Sequence, residues 1–337
     1  MYDPTDPAIE ELINDLKNLP IDSIEEPDAG TQIKLFMDFP NGGGALFKPM
    51  RTPRDQAIRG ANQFYFSEYE RHNAEIASYH LDRVLGFYRV PPTVGRYFNI
   101  TRDIERLADD DFKHTIFISP AGNKCFHGNC YYYCDTGHAI CGNPDMVEGS
   151  FQAFIPMKNE VPRFTNKSPW RRSYNKHRKA SWESDAYYCE HVVTRHGRSR
   201  FLLDVVDVAI FDYITGNQDR HHLDAFKIFG NESAPVLFDN GRAFGDPHFD
   251  DEVILFPLTQ CCIIRYSTLM KLLNFYTPGS KSLSEAFIES SKSDPVYPLL
   301  IDEFYTAMDR RLLKVMKHVR RCVQADSYEN VVLNDNY

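Results

Sequence analysis

Residues 217–245 read NQDRHHLDAFKIFGNESAPVLFDNGRAFG, and this stretch decides the fold. It contains two aspartates, Asp219 and Asp239, separated by an apolar segment at Ala225–Phe229, a Gly-Asn pair and a second apolar segment at Pro235–Phe238. Two apolar segments joined by turn residues are typical of a β-hairpin. The pattern therefore predicts a short hairpin that presents two carboxylates around it.

Two carboxylates in this arrangement suit phosphoryl transfer. One carboxylate orients the attacking hydroxyl and accepts its proton, and a second carboxylate at a strand end holds the divalent metal beside the triphosphate. Asp219 suits the first task and Asp239 the second. Asp224 stands five positions after Asp219, where protein kinases place a metal-binding Asn, and DNGRAFG stands where they have D-F-G. The order Asp-Arg-His-His differs from the His-Arg-Asp of those enzymes.

Two other interpretations of these residues are open. Asp-Arg pairs and Asp-Asn-Gly runs occur in ordinary turns, because Asp and Asn side chains bond to their own backbone. Adjacent histidines with several aspartates are also compatible with a metallohydrolase site, although their spacing matches no zinc pattern.

The composition is that of a globular protein. The chain has 337 residues, of which 42% are hydrophobic and 25% charged, enough for one bilobal unit or two tightly joined domains. A formal charge of −9 argues against nucleic acid as the main partner. The basic run Arg171–Lys179 is either a solvated face or a binding edge for an anionic ligand. No apolar run approaches the roughly 20 residues that span a bilayer, and Met1–Pro20 lacks the layout of a signal peptide.

The cysteines point to the secretory pathway. Four of the eight lie within Cys125–Cys141, two are adjacent at Cys261 and Cys262, and the others are Cys189 and Cys322. An even number with a dense cluster is typical of disulfides or of a zinc knuckle, and the lack of a C-x-x-C pair disfavours zinc. We therefore predict a secretory-pathway protein whose targeting segment lies outside this sequence.

Three sequons agree with that compartment. They begin at Asn99, Asn166 and Asn231. An N-x-S/T sequence in a secreted protein is an acceptor for N-glycosylation. We predict glycosylation at all three.

Periodic patterns predict the elements that surround the central stretch. Apolar residues at helical spacing predict helices over Ile9–Leu19, Ser67–Leu85, Phe201–Ile214 and Phe304–Cys322. Strand patterns lie at Gln32–Phe39, Ala45–Lys48, Thr93–Phe98 and Thr115–Ser119. Glycines between the first two strands predict a hairpin, and a glycine loop over phosphates is the alternative, although no G-x-G-x-x-G is present.

Three further features matter if the site binds a nucleotide. Lys48 ends the second predicted strand, where a kinase places its phosphate-binding lysine. Glu70 near the start of the next helix could pair with Lys48 or reach the metal, although Ser67-x-x-Glu70 is also a capping box. Ser150–Ile155 could be a hinge that offers backbone groups to an adenine ring, but the sequence alone favours an edge strand.

Seven stretches match one known family when they are taken together. They are FKPM (Phe47–Met50), YERHNAEIASYHLDR (Tyr69–Arg83), VPPTVGR (Val90–Arg96), the Cys125–Cys141 pattern, GNQDRHH, LFDNGRAFG and PLTQCCIIR (Pro257–Arg265). The chain, from about residue 6 to residue 322, resembles the secretory-pathway atypical kinases that include Golgi casein kinase and glycosaminoglycan xylosylkinase. The resemblance implies an α+β, kinase-like bilobal fold with a small β-rich N-lobe, a larger, mostly helical C-lobe and disulfide bonds.

The resemblance also implies an organisation and a setting. The expected units are an N-terminal helical segment at residues 1–30, an N-lobe with the cysteine-rich insertion at residues 31–150, and a C-lobe at residues 151–337. The implied cofactors are ATP and Mn²⁺, with Mg²⁺ as the alternative metal, and the implied compartment is the Golgi lumen. We expect no nucleic-acid partner, no membrane span, and a monomer, with a family-type dimer as the alternative.

The resemblance assigns residues one by one. Asp219 is implied as the catalytic base, Asp239 and Glu70 as metal and nucleotide ligands. The other implied nucleotide contacts are Gln32, Lys48, Asp224, Gln152, Ala153, Phe154 and Ile155. The family has Glu where this chain has Asp224, and one pseudokinase member has Gln where this chain has Glu70. The implied disulfides are Cys125–Cys141, Cys130–Cys134, Cys189–Cys261 and Cys262–Cys322.

The branch within the family depends on short segments. FDYITGNQDRHH, CCIIRYST and SDPVYPLL look like the xylosylkinase, and FYFSEYERHNAE, SPAGNKCF and PWRRSYNKHRK look like the protein kinases. Because the first set surrounds the catalytic loop, we predict transfer of the ATP γ-phosphate to the xylose 2-hydroxyl in the proteoglycan linkage region, with the galactosyl-xylose glycan as the acceptor partner. The alternatives are a serine kinase for S-x-E motifs of secreted proteins and a pseudokinase that activates a partner kinase.

Overall fold

The structure is a computed structural model. It describes residues 2–27, 31–56, 70–175 and 177–334, without the side chain of Asn231. The α+β class predicted from the sequence is observed, with most of the strands in the first half of the chain and most of the helices in the second.

The bounds of the elements are as follows. The strands are β1 (Ser23–Glu25), β2 (Leu35–Asp38), β3 (Gly44–Pro49), β4 (Thr93–Asn99), β5 (Ile116–Ile118), β6 (Lys124–Phe126), β7 (Ile140–Cys141), β8 (Met146–Ala153), β9 (Arg163–Lys167), β10 (His222–Phe226), β11 (Ile264–Arg265) and β12 (Val332–Leu333). The helices are α1 (Pro7–Asn18), α2 (His72–Leu85), α3 (Asp110–Lys113), α4 (Ser181–Ser184), α5 (Tyr188–His196), α6 (Arg200–Thr215), α7 (Phe256–Cys261), α8 (Tyr266–Tyr276), α9 (Leu283–Ser291), α10 (Asp302–Ala325) and α11 (Tyr328–Val331).

One antiparallel sheet of five strands, in the order β1-β2-β3-β8-β4, supports one side of the site. The predicted hairpin of β2 and β3 is confirmed, with Leu35 opposite Phe47. The prediction of an edge strand at Ser150–Ile155 is wrong, because β8 lies between β3 and β4 and pairs Phe151 with a residue on each side. Phe151 is fully buried, as expected for a strand that has a neighbour on each edge and is covered by side chains on its faces.

Helix α2 packs behind this sheet, and it is buried over most of its length. The predicted helix at Ser67–Leu85 is observed from His72 onward, and Ser67, with its predicted capping box, lies outside the described residues. The helix ends at Gly86, which has a φ of 69°. A left-handed residue at this position is the usual way to end a helix, and glycine adopts it without a Cβ penalty.

Helix α6 confirms the prediction for Phe201–Ile214, and it delivers the chain to the aspartate stretch. Residues Leu202–Thr215 are all buried, which explains why the sequence is apolar nearly all round. Gly216 ends the helix with a φ of 74°, directly before Asn217. A Cβ at this position would lie 3.0 Å from Nη1 of the buried Arg311. The long C-terminal helix predicted over Phe304–Cys322 is also confirmed, as α10.

The predicted hairpin at Ala225–Phe238 is largely wrong. Strand β10 pairs with β9, which lies about sixty residues earlier, with Asp224 opposite Thr165. Residues Lys227–Glu232 form a 3₁₀ turn instead of continuing the strand. The antiparallel pairing predicted with the Pro235–Phe238 segment is reduced to one bridge, between Asp224 and Val236. The turn diverts the chain before a ladder can form.

Four disulfides join the cysteines in the pairs that the resemblance implied: Cys125–Cys141, Cys130–Cys134, Cys189–Cys261 and Cys262–Cys322. The first two lie in the insertion between β5 and β8. The second two connect α5 and α10 to the adjacent cysteines at the end of α7. The disulfide-stabilised fold is therefore confirmed.

Buried apolar side chains form two clusters. One contains Leu16 of α1 and the five-stranded sheet, and the other surrounds α2, α6 and α10. The limits that we predicted for the domains remain a prediction. Among the described residues, no helix is long and apolar enough to cross a membrane.

Candidate active site

Lys48 is the meeting point of three carboxylates. Strand β3 carries it to a position where only 9% of the residue is exposed. Its Nζ lies 2.6 Å from Oε1 of Glu75, 3.1 Å from Oε2 of Glu70 and 3.3 Å from Oδ1 of Asp239. Three of the predicted site residues, Lys48, Glu70 and Asp239, therefore share one place although 191 positions separate the first from the last.

Glu75 is the residue that sequence analysis missed. We assigned the helix glutamate to Glu70, but Glu70 precedes the first residue of α2, and Glu75 in the first turn makes the shorter contact to Lys48. The other oxygen of Glu75 accepts the Asn240 N–H at 3.0 Å. A strand lysine paired with a glutamate of the next helix is the arrangement of protein kinases, so a second glutamate five residues after Glu70, in the first turn of α2, was the available signal.

The charges explain how these groups tolerate burial. Burial lowers the pKa of Lys48, but the nearby carboxylates of Glu70 and Glu75 outweigh it and hold that pKa well above its usual range. Asp239 is more exposed, and the solvation that it loses to neighbouring groups raises its pKa, but the charge of Lys48 outweighs this effect, so the pKa is lowered. The lysine stays cationic and the aspartate anionic at neutral pH.

The loop after β10 is held against the start of α2. The backbone N–H of Arg71 donates to Gly241 O at 2.7 Å, and its guanidinium donates to the carbonyls of Arg242 and Ala243 at 2.9 and 3.0 Å. A Cβ on Gly241 would lie 2.8 Å from Cβ of Glu70, so glycine permits the close approach. This contact fixes the distance between Glu70 and Asp239.

Glu70 and Asp239 form a suitable donor set for a hard divalent cation. Their side chains are 24% and 67% exposed, and both face the Lys48 ammonium. No cluster of three or more His, Cys, Asp or Glu arranged to hold a metal is found among the described residues. Mg²⁺ sites of nucleotide enzymes commonly use one or two carboxylates and complete the coordination with water and phosphate oxygens. The two carboxylates fit that pattern.

Gln32 lies beside this group. Its Oε1 accepts the backbone N–H of Glu70 at 3.1 Å, and the residue is 7% exposed. The structure thus brings Gln32 to the glutamate, as expected for a residue of the same site. Its predicted contact with nucleotide phosphates remains a prediction.

Asp219 lies on the loop after α6, and several groups fix its carboxylate. Arg242 Nε is 2.9 Å from Oδ2, and the Tyr174 hydroxyl donates to Oδ1 at 2.5 Å. The backbone N–H of Asp219 donates to the side chain of the buried Asn217 at 3.0 Å. Burial raises the pKa of this aspartate, but the nearby His221 imidazole, the hydrogen bond from Tyr174 and the charge of Arg242 outweigh it, so the pKa is lowered and the group is anionic.

Arg220 connects the two aspartate segments. Its guanidinium makes a bidentate pair with Asp212 of α6, at 3.0 Å for both contacts. The same side chain donates to Oδ1 of Asn240 at 2.6 Å and to the carbonyl of Phe238. The residues on either side of Asp239 are therefore tied to the neighbour of Asp219, so that the two aspartates belong to one rigid assembly.

Asp224 is buried but not part of the Lys48 cluster. Its Oδ2 lies 3.4 Å from Nζ of Lys158 and 3.6 Å from Nε of Arg163. Its Oδ1 is buried, and it has no hydrogen-bond partner in the part of the chain that the structure describes. Buried polar atoms are nearly always satisfied, so this oxygen has capacity for a ligand. Its predicted contact with metal or nucleotide remains a prediction.

The segment Gln152–Ile155 leaves the sheet at the end of β8. The Gln152 amide donates to Oγ1 of Thr93 at 3.0 Å. The backbone N–H groups of Ala153 and Phe154 donate to Pro92 O at 2.8 Å and to Gly44 O at 2.9 Å. These two donors are already used, so adenine binding at this segment would rely on carbonyl oxygens or on Ile155.

The structure describes the side chains of two of the three sequon asparagines. Oδ1 of Asn99 accepts the Arg102 N–H at 2.8 Å, and Asn166 is exposed on β9. The side chain of Asn231 lies outside the described residues. Glycosylation at the three asparagines remains a prediction.

Comparisons with known proteins agree with this geometry. A sequence model of the family described as Fam20C, Golgi casein kinase, C-terminal, matches residues 1–331. The human extracellular serine/threonine protein kinase FAM20C is 48% identical over an alignment of 338 positions, which covers 99% of this chain and 58% of that protein. Human glycosaminoglycan xylosylkinase is 38% identical over 308 residues, which are 91% of this chain and 73% of that protein.

A solved structure extends the likeness to three dimensions. The crystal structure of the Golgi casein kinase with Mn and ADP bound has a TM-score of 0.93 and 48% identity, over 97% of this chain and 79% of that one. The kinase-like bilobal fold implied by the sequence is thereby confirmed. This chain spans about three fifths of the length of the human FAM20C protein. From the family match, the identities and the shared fold, we conclude that the chain belongs to the Fam20 family.

Proposed function

We propose that the chain is a secretory-pathway kinase that transfers the γ-phosphate of ATP to serine hydroxyls of secreted proteins. The observation that carries this proposal is the 48% identity with a serine/threonine protein kinase over nearly the whole chain, against 38% with a xylosylkinase. The assembly of Lys48, Glu75 and Asp239 beside Asp219 supplies the groups that phosphoryl transfer needs.

This proposal replaces the sugar acceptor that sequence analysis favoured. That preference rested on short segments around the catalytic loop and after Asp239. The first of these segments carries the catalytic base, which both branches require, so it reports on the shared reaction more than on the acceptor. The other two make structural contacts: Arg265 pairs with the buried Asp204 and Asp207, and Asp294 accepts the Gly95 N–H. The difference of identity over more than 300 residues includes the acceptor side and therefore favours the protein kinase branch.

The nucleotide would lie over Lys48. The cationic Nζ, held by Glu75, would contact phosphate oxygens, as the strand lysine does in protein kinases. Glu70 and Asp239 would hold Mn²⁺, which when bound neutralises phosphate charge, and the related Golgi casein kinase holds Mn and ADP in its crystal structure. The rigid loop from Asp239 to Ala243 keeps these side chains in position before the nucleotide arrives.

Asp219 would act on the acceptor. Its anionic carboxylate orients the serine hydroxyl and accepts its proton as the oxygen attacks the γ-phosphorus. The new O–P bond forms while the bond from the γ-phosphorus to the bridging oxygen breaks, and ADP leaves. Arg242 and Asn217 hold Asp219 in place, so little reorganisation is needed at the moment of reaction.

A direct acceptor comparison tests the proposal. The protein is incubated with labelled ATP and Mn²⁺, together with either a casein-derived serine peptide or a galactosyl-xylose glycan, and transfer is measured. We expect transfer to the serine peptide, and its loss in Asp219→Ala. Transfer to the glycan alone would return the assignment to the xylosylkinase, and no transfer to either acceptor would favour the pseudokinase alternative. Phosphate release without dependence on ATP would favour a metallohydrolase.

The compartment follows from the same proposal. Four disulfides require an oxidising environment, and the family includes Golgi and extracellular kinases. We propose the lumen of the secretory pathway, including the Golgi, as the place of action. Endoglycosidase treatment of the protein secreted from cultured cells would reveal whether Asn99, Asn166 and Asn231 carry glycans.

A further inference from the structure

The carboxylate that we propose as the base already receives a hydroxyl. Tyr174 donates its phenol O–H to Oδ1 of Asp219 at 2.5 Å. The other oxygen, Oδ2, is engaged by Arg242 Nε at 2.9 Å. An acceptor serine must make the same kind of contact that Tyr174 makes now, since its hydroxyl has to donate to this carboxylate.

The phenol is held from two sides. The guanidinium carbon of Arg171 lies 5.3 Å from the centre of the Tyr174 ring, and the His221 ring lies edge-on at 5.6 Å between centroids. His221 Nδ1 is itself 3.7 Å from Oδ1 of Asp219. The Tyr174 hydroxyl, the His221 ring and the acceptor oxygen would therefore crowd one carboxylate oxygen.

The backbone at Tyr174 is strained. Its φ is 57°, a left-handed conformation that bulky residues with a Cβ rarely adopt. Such strain is retained only where surrounding contacts impose it, and the bond to Asp219 is one of these contacts. The neighbouring residues Ser173, Asn175 and His177 are exposed, so Tyr174 can leave Asp219 without disrupting a packed core.

We propose that Tyr174 is a specificity-determining residue of the acceptor site, whose hydroxyl occupies the place of the acceptor hydroxyl on Asp219 until an acceptor displaces it. The inference rests on the function proposed above. A ligand that replaces an existing hydrogen bond gains little from its own hydroxyl, because one bond is exchanged for another. An acceptor would then bind through contacts around its hydroxyl, and Asp219 would stay shielded from water between turnovers.

A thermodynamic cycle tests the proposal. Binding of two casein-derived peptides, one with serine and one with alanine at the acceptor position, is measured on the full chain in the presence of Mn²⁺ and ADP. In the wild type we expect the two peptides to bind within about twofold of each other. In Tyr174→Phe we expect the serine peptide to bind roughly tenfold more tightly than the alanine peptide, because nothing competes for Asp219.

The matched control is Tyr188→Phe, which removes a hydroxyl that donates to Pro169 O at 3.0 Å, away from Asp219. It should keep the wild-type ratio. Unchanged affinity for Mn–ADP reports that the Tyr174→Phe protein is folded. An equal serine-to-alanine ratio in wild type and Tyr174→Phe would overturn the proposal, as would a large fall in kcat with no change in that ratio, which would make Tyr174 a positioning residue. If the wild type binds the peptides but transfers no phosphate, the protein-kinase proposal fails instead.

Discussion

Nζ of Lys48 lies 2.6 Å from Oε1 of Glu75, and the second oxygen of that carboxylate accepts the backbone N–H of Asn240 at 3.0 Å. This ion pair joins the sheet, helix α2 and the residue that follows Asp239. The Glu75 side chain is 2% exposed, so its charge depends on such protein partners rather than on water. The pair therefore couples the stability of the fold to the position of the phosphate-side groups.

Replacing Glu75 tests this coupling. Glu75→Gln leaves a buried ammonium with weaker compensation, and we expect the free energy of unfolding to fall by about 3 kcal/mol, together with a loss of phosphotransfer. The matched variant Glu70→Gln changes a more exposed carboxylate, so it should spare stability and raise the Mn²⁺ concentration needed for activity. The measurements are denaturant unfolding with the disulfides intact and a metal titration. Equal unfolding energies for the two variants would contradict this interpretation.

The two aspartates should separate chemistry from binding. Asp219→Asn removes the proposed proton acceptor, so transfer should fall by roughly a thousandfold while the affinity for Mn–ADP changes little. Asp239→Asn removes a proposed metal ligand and should weaken Mn–ADP binding itself by at least about tenfold. Calorimetric titration and initial rates distinguish the two. A fall in nucleotide affinity in the Asp219 variant alone would reverse the assignment.

Glu148 predicts a dependence of stability on pH. It accepts hydrogen bonds from His72 Nε2 at 2.7 Å and from the Tyr97 hydroxyl at 2.9 Å. Burial raises the pKa of Glu148, but the bonds from His72 and Arg54 outweigh it and lower the pKa from 4.5 to about 2. A lowered pKa means that the ionised form stabilises the fold above pH 4.5 and that this stabilisation is lost as the pH falls towards 2.

The variant Glu148→Gln isolates that contribution. At pH 7 the free energy of unfolding of this variant should be about 2 kcal/mol lower than that of the wild type. This value is smaller than the shift in pKa alone would give, because solvent near Arg54 and Tyr97 screens the charge. The difference should shrink when the unfolding is measured at pH 4 and again at pH 3. A difference that is constant with pH would mean that packing, not the charge, is responsible.

The disulfides should contribute different amounts to the free energy of unfolding. Cys262–Cys322 closes a loop of 60 residues and Cys130–Cys134 one of 4. On the chain-entropy estimate, replacing the first pair by alanines lowers the free energy of unfolding by about 4 kcal/mol and replacing the second by about 2 kcal/mol. Denaturant unfolding of the two double variants measures this order, and equal losses would argue against an entropic origin.

The basic run beside Tyr174 should affect acidic acceptors. Arg178 and Lys179 are exposed on the same loop, so charge reversal at both positions should raise the KM of an acidic serine peptide by roughly tenfold at low salt. Screening at high salt should remove most of that difference. Lys292→Glu, an exposed change at the end of α9, serves as the control. A KM that changes neither on charge reversal nor with the salt concentration would show that this loop does not contact the acceptor.

The sequence predicted correctly those elements that are determined by residues close together in the chain. The apolar spacing of α6 and α10 and the glycine-linked strands β2 and β3 were readable because neighbouring residues decide them. The partner of β10 was not readable, since β9 lies far earlier in the chain and no short-range pattern selects it. The place of β8 inside the sheet was missed for the same reason.

The same distinction between short-range and long-range contacts applies to the site. Asp219, Asp239, Lys48 and Glu70 were identifiable from their segments, and the family resemblance added Gln32. Glu75 was missed because its role depends on its contact with Lys48, which is 27 positions away. Tyr174 was missed because its hydrogen bond to Asp219 joins residues 45 positions apart. Contacts of this kind depend on how elements pack, which the sequence does not state locally.

Cys261 and Cys262 are neighbours, yet each is joined to a different helix, one to α5 and the other to α10. If the two adjacent sulfurs exchanged partners, the resulting isomer would have the same mass. Helices α5 and α10 would then each be bonded to the wrong one of the two cysteines. Any such isomer must be converted to the native pairing by thiol–disulfide exchange before the protein is correctly folded. Cells that supply an isomerase should secrete more of the active isomer than cells that supply only an oxidant.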